Sequence, residues 1–240
     1  MKNWLTVCWL LVFILLAQTN DNAGIGLSRG RVLSEIIASS QKRKPVKPKP
    51  VKLEVQLAKL AELGFKLEDG ITIDDILYSF DRKDYEKEPY DLILSVLGSE
   101  VEREPWDRSI CSRVWNFDME CIVETGDYVR VVKRLCQVAG RPDCLTDVSD
   151  FVDLQGRKAS LKYKVNGIER NWQAKVEDDW IDLAVLSTVM KDIERDGHRF
   201  YGIDQGQGMV LFYLDAKTAA DLNRLAKNAL KPVLRATSHL

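Results

Sequence analysis

The sequence predicts an α+β fold. Antiparallel hairpins in the order β-ββ-α-ββ-α are packed by helices, behind an N-terminal helical subdomain. Three observations carry this. Ala159–Val165 and Ile168–Val176 alternate polar and apolar residues on either side of Asn166-Gly167, a pair suited to the positive φ angles of a tight hairpin turn. A second pair of strand-like runs, Arg199–Ile203 and Met209–Leu214, flanks Gln205-Gly-Gln-Gly208. Helical periodicity separates and follows the two hairpins, with Asp182 placed to cap Leu183–Arg195 and Asp215 to cap Ala216–Leu230.

Met1–Gly24 reads as an export signal. Lys2 precedes an apolar run, Leu5–Ala17, broken only by Thr6. That is the length of a signal core and short for a membrane span; an uncleaved anchor is the other reading. Residues 25–52 read as a tail and linker, in which Leu27–Ser39 has an amphipathic pattern. Lys42, Arg43, Lys44, Lys47, Lys49 and Lys52 interleave with Pro45, Pro48 and Pro50. Such a segment favours an extended spacer, with a weak membrane-surface contact as its functional alternative.

Residues 53–98 are expected to form the helical subdomain. Leu53, Leu57 and Leu60 lie on one helical face, Thr72-x-x-Asp75 resembles a capping box, and Tyr90–Leu97 is a short helix behind Pro89. The α+β part spans 99–235. Arg113–Val123 reads as a strand with Trp115, Phe117, Met119 and Cys121 on one face, Thr125 caps a helix over Gly126–Val138, and Leu145–Leu154 is a further strand.

Charge narrows the partners. The whole chain has a net charge of -1, but residues 53–240 contain 26 Lys+Arg against 34 Asp+Glu, a balance of −8. An acidic globular part argues against nucleic acid, whose phosphates need clustered bases. With Cys8 an apolar residue of the signal run, the remaining Cys111, Cys121, Cys136 and Cys144 make an even set, which in an exported chain points to disulfides. The Gly140-Arg-Pro142 turn favours pairing Cys136 with Cys144, leaving Cys111 with Cys121; buried free thiols are the alternative.

Catalytic resources are thin. Nucleophilic catalysis needs a base beside its Ser or Cys, and the fold holds only His198. Gly202-x-x-x-Gly206-x-Gly208 lies between strands, where a hairpin tip fits and a dinucleotide loop does not. Asp118 and Glu120 share a strand face about 7 Å apart, a spacing open to acid/base work on a glycan or wall polymer and equally to a wet strand face. Asp178, Asp179 and Asp182 fit turn and cap roles or a cation site. No cofactor motif is present.

Trp106, Trp172, Asp179 and Trp180 are the candidate binding residues, because tryptophan beside acids makes a recognition patch; core packing is the competing role for each indole. Trp172-x-x-Lys175-Val176-x-x-Asp179-Trp180, with Gly206-Gln207 further on, resembles a set of small bacterial exported proteins of unknown function over the C-terminal third. That resemblance implies no activity. The expectation is an exported cell-envelope or periplasmic protein-binding module without enzymatic activity, with a carboxylate-dependent hydrolase as the alternative.

Overall fold

The computed structural model describes residues 48–233. The expected signal, the amphipathic tail and the bases from Lys42 to Lys47 lie outside the described residues; Lys49 and Lys52 lie within them and are exposed. Helices α1 (Leu53–Glu62), α2 (Ile73–Ile76), α3 (Arg82–Lys87) and α4 (Asp91–Leu97) come first. Strand β1 (Val114–Asp118) and helix α5 (Asp127–Val138) lead to β2 (Thr146–Asp153), β3 (Lys158–Val165) and β4 (Ile168–Ala174). Helix α6 (Leu183–Ile193), β5 (Arg199–Asp204), β6 (Gly208–Leu214), α7 (Ala216–Leu225) and β7 (Lys231–Pro232) complete the order.

The fold is α+β, and its strands divide between two antiparallel sheets, β1-β6-β5-β7 and β2-β3-β4. The β3–β4 hairpin turns on Asn166 and Gly167, with φ of 51° and 78°, the left-handed pair that a tight hairpin demands. Alternation along β3 buries Leu161, Tyr163 and Val165, while Lys162 stays exposed. The β5–β6 tip closes through Gln205 N–H donating to Gly208 O at 2.9 Å. Gly208 passes so close to β1 that a Cβ there would lie 2.6 Å from Phe117 O.

Strand β6 has a hydrophobic core on each side. Leu211 and Tyr213 join Phe117, Phe200, helices α5 and α6, and the inner face of β3 in one core. Val210, Phe212 and Leu214 join Leu53, Leu60, Ile93, Leu97, Val114 and Leu222 in the other. The helical segment 53–98 therefore builds its core jointly with the four-stranded sheet. Helix α5 touches β1 and β6 of one sheet and β2 of the other, and so bridges the sheets. As expected, Trp115, Phe117, Met119 and Cys121 all belong to or pack against the first core.

Several local expectations change. Strand β1 stops at Asp118 rather than Val123, and α7 stops at Leu225 rather than Leu230, where Lys227 and Asn228 turn to φ 50° and 65°. Thr125 does not cap α5. The Asp150 carboxylate, from β2, accepts Gly126 N–H at 2.8 Å and Tyr128 N–H at 2.9 Å, and Thr125 Oγ1 instead accepts Val152 N–H at 2.9 Å. A full negative charge satisfies the helix donors better than a hydroxyl. In α1 the buried face is Leu53, Gln56 and Leu60, with Leu57 only partly covered. Gln56 is admitted because its amide donates to Val51 O (2.8 Å) and Tyr85 O (2.9 Å) and accepts Tyr90 N–H (2.7 Å). A buried amide is tolerated when its bonds are made, and here they tie α1 to Tyr85 in α3 and to Tyr90 just before α4.

Candidate functional site

Between α4 and β1 the chain makes a loop, residues 99–109, whose base is a short antiparallel ladder. Glu100 bridges Ser109, Val101 N–H donates to Arg108 O (2.8 Å), and Ile110 N–H donates to Ser99 O (3.0 Å). Val101 and Ile110 anchor the base in the second core. At the tip stands Trp106, 57% exposed, and Tyr78, the residue before Ser79, is 58% exposed. Ser79 Oγ donates to Glu102, so Tyr78 stands beside the loop.

Asp75 holds the loop in place. Its capping box forms as expected, with one carboxylate oxygen accepting both Thr72 N–H and Thr72 Oγ1–H at 2.8 Å. The second oxygen accepts Arg103 Nε–H at 2.8 Å and lies 3.6 Å from Arg108 Nη2. Arg108 also donates to Pro105 O at 2.7 Å. Both arginines beside Trp106 thus turn back to one carboxylate whose side chain is only 3% exposed. The Arg103 bond, with those from Thr72, holds Asp75 far below the usual carboxylate range. With its arginines so engaged, the loop shows solvent an indole among Glu102, Glu104 and Asp107, all exposed.

The other candidates occupy different places. Beyond β1 the chain continues as an extended segment that pairs with 177–181. Ile181 N–H donates to Met119 O, Ile122 N–H donates to Asp179 O (both 2.9 Å), and Glu120 bridges Trp180. Asp118, Glu120, Asp179 and Trp180 are thereby neighbours. Trp180 is partly buried against the first core, so it is a packing residue more than a free anchor. Trp172, on β4, also packs there, and its indole N–H donates to Tyr163 Oη (3.1 Å), which donates in turn to Asp192 (2.9 Å). Its polar edge is committed internally.

Asp118 and Glu120 do not face each other across a cleft. Asp118 accepts the backbone N–H of Glu120 (2.9 Å), and Glu120 accepts the side-chain amide of Gln207 (2.6 Å). Asp182 caps α6 through Ala184 N–H and accepts Lys175 N–H, so both its oxygens are occupied. Asp178 sits at φ 56° in the turn before Trp180. His198 stacks on Tyr213, ring centroids 5.6 Å apart. Among the described residues no group of three or more His, Cys, Asp or Glu is arranged to hold a metal ion, and no helix is long and apolar enough to cross a membrane.

The cysteines separate into a close pair and two singles. Cys136 and Cys144 approach to 3.0 Å between sulfurs. Cys111 lies in the second core and Cys121 packs against the first. The four-stranded sheet stands between them, so the structure does not bring that expected pair together. Burial pushes the Cys111 thiol up to about 11 and the Cys121 thiol up to about 12.

Sequence reasoning found Trp106, and found Asp75 as a helix cap, but missed the bonds that join Asp75 to Arg103 and Arg108. The signal was present as paired arginines flanking Pro105-Trp106, awaiting an acid elsewhere. No family model, curated protein or solved structure matches this chain.

Proposed function

We propose that the protein is exported and acts outside the cytosol as a non-enzymatic module that binds a protein partner through the 99–109 loop. One observation carries this reading: an exposed Trp106 on a loop already fixed in place by Asp75. Most exposed indoles at interfaces contribute through full desolvation on contact, and a preformed loop keeps the ordering cost of that contact small. The surrounding Glu102, Glu104 and Asp107 favour a partner with Lys or Arg among apolar residues, since a cation is attracted both to the carboxylates and to the indole face. Export is supported by the apolar Leu5–Ala17 run behind Lys2.

Wild-type protein and the Trp106→Ala variant serve as baits on the cell-envelope fraction of the source cells, and the captured protein is then purified and titrated calorimetrically against both. The expected result is a partner with a basic, apolar contact surface whose affinity falls about 30-fold on losing the indole, a hot-spot loss of about 2 kcal/mol, and weakens with salt. Equal affinity for wild type and Trp106→Ala defeats the proposal.

A further inference from the structure

Helix α5 ends in a turn that folds back on itself. Gly140, at φ 66°, donates its N–H to Gln137 O (2.7 Å), Arg141 N–H donates to Cys136 O (2.9 Å), and Cys144 N–H donates to Arg141 O (3.0 Å). Each bond shortens the path back to the helix, and together they lay Cys144 over Cys136. The turn is clasped from both sides. Arg113 Nε–H donates to Val138 O and Arg141 Nη1–H to Ile193 O, both at 3.0 Å. A Cβ on Gly140 would come within 2.6 Å of Arg113 Nη1, so the clasp closes over a position without a side chain.

Two sulfurs 3.0 Å apart need to close by only about 1 Å to reach bonding distance. The two thiols are not equivalent. Cys136 is 1% exposed, whereas Cys144 is partly open to solvent. We infer that Cys136 and Cys144 form a thiol–disulfide exchange site for a low-molecular-weight disulfide, with Cys144 attacking and Cys136 resolving. The hydrogen bond between the sulfurs favours this division, holding Cys144 below the usual thiol value and lifting Cys136 above it, and Arg141 further favours a thiolate at Cys144.

The chemistry balances without a metal or cofactor. The Cys144 thiolate attacks one sulfur of the small disulfide, forming a mixed disulfide and releasing one small thiolate, which takes up a proton. Cys136 then gives up its proton and attacks the Cys144 sulfur, forming the internal bond and releasing the second small thiol. The dithiol is oxidised by two electrons and the small disulfide is reduced to two thiols. This site stands apart from the Trp106 loop, and its failure leaves the binding proposal untouched.

The test uses the reduced full chain and oxidised glutathione as the probe. After exposure, free thiols are blocked with N-ethylmaleimide under denaturing conditions and the peptides are mapped by mass. A linked peptide containing Cys136 and Cys144 is expected, with Cys111 and Cys121 alkylated, and the oxidised chain melts about 5 °C higher because the bond restricts the unfolded state. Cys136→Ser should accumulate the glutathione adduct on Cys144, while Cys144→Ser should leave Cys136 unreacted. A Cys111–Cys121 link, the absence of any internal bond in wild type, or equal adduct formation on the two single variants overturns the inference.

Discussion

Replacing Asp75 by Asn tests whether one carboxylate immobilises the Trp106 loop. The substitution keeps the side-chain shape and an oxygen for Thr72 but removes the charge that Arg103 and Arg108 share. The acceptor is almost fully buried, which strengthens its bonds, but the arginine side chains are 41% and 27% exposed, so solvent screens both pairs. A charge-assisted bond to a buried acceptor contributes about 1.5–3 kcal/mol and an exposed ion pair well under 1. Between these limits, the Asp75 charge is assigned about 2 kcal/mol of local stability. That corresponds to about a 30-fold rise in the open population of the loop. Trypsin cleaves after arginine, and Arg103 and Arg108 lie within the loop, so limited proteolysis followed by mass spectrometry reads this population directly. Cleavage after Arg103 or Arg108 should be about 30-fold faster in Asp75→Asn, with slower cutting elsewhere little changed. The same release should follow acidification of wild type. Asp75 has a folded value held below its ordinary 3.8, so its contribution is complete above that value and is lost as pH falls through the folded one. An acid-stable protease should therefore open the wild-type loop more readily as pH drops below the carboxylate range, and Asp75→Asn should lack that dependence. If the cleavage rates of wild type and variant agree within threefold while the global melting temperature falls, Asp75 supports the core and the loop is pinned by something else.

Three further outcomes are expected. Gly98→Ala should destabilise by about 3 kcal/mol, measured by urea unfolding, because its Cβ would lie 2.4 Å from Asn116 N and 2.8 Å from Trp115 C and backbone cannot yield as a side-chain tip can. Tyr163→Phe should cost about 1–2 kcal/mol in the same assay by leaving the Trp172 indole N–H and the Asp192 carboxylate without their shared partner. Trp180→Ala should lower the melting temperature by about 5 °C in a thermal scan, reflecting roughly 2 kcal/mol of lost packing against the first core, and should leave the affinity at the Trp106 loop unchanged.

What was legible in the sequence was local. Asn166-Gly167 needed only its own conformational preferences and the alternation beside it, and Thr72 and Asp75 needed only three residues of helix. What was hidden depended on segments meeting from far apart. The α5 cap comes from Asp150, 24 residues beyond Gly126, so the nearer Thr125 was the better guess from composition alone. The burial of Gln56 depends on the carbonyl of Tyr85 and the amide of Tyr90, which come from 29 and 34 residues away. Trp180 read equally as an anchor or as core, because its pairing with Glu120 is invisible along the chain. Cys111 and Cys121 are close in sequence, yet β1 intervenes and carries the chain from one face of the sheet to the other. The acidic Asp178–Asp182 stretch conformed to the turn and cap chemistry that short side-chain acids supply.

Strand β6 has a consequence for how the protein can be dissected. From Met209 to Leu214 its residues alternate between the two cores. The stretch after Leu97 has the look of a boundary, with a glycine, a serine and a run of charges. A fragment begun at residue 99 would nevertheless lose Leu53, Leu60, Ile93 and Leu97 from the core that packs on Val210, Phe212 and Leu214. Residues 53–98 and the rest of the described chain are therefore expected to melt together, as a single transition in calorimetry.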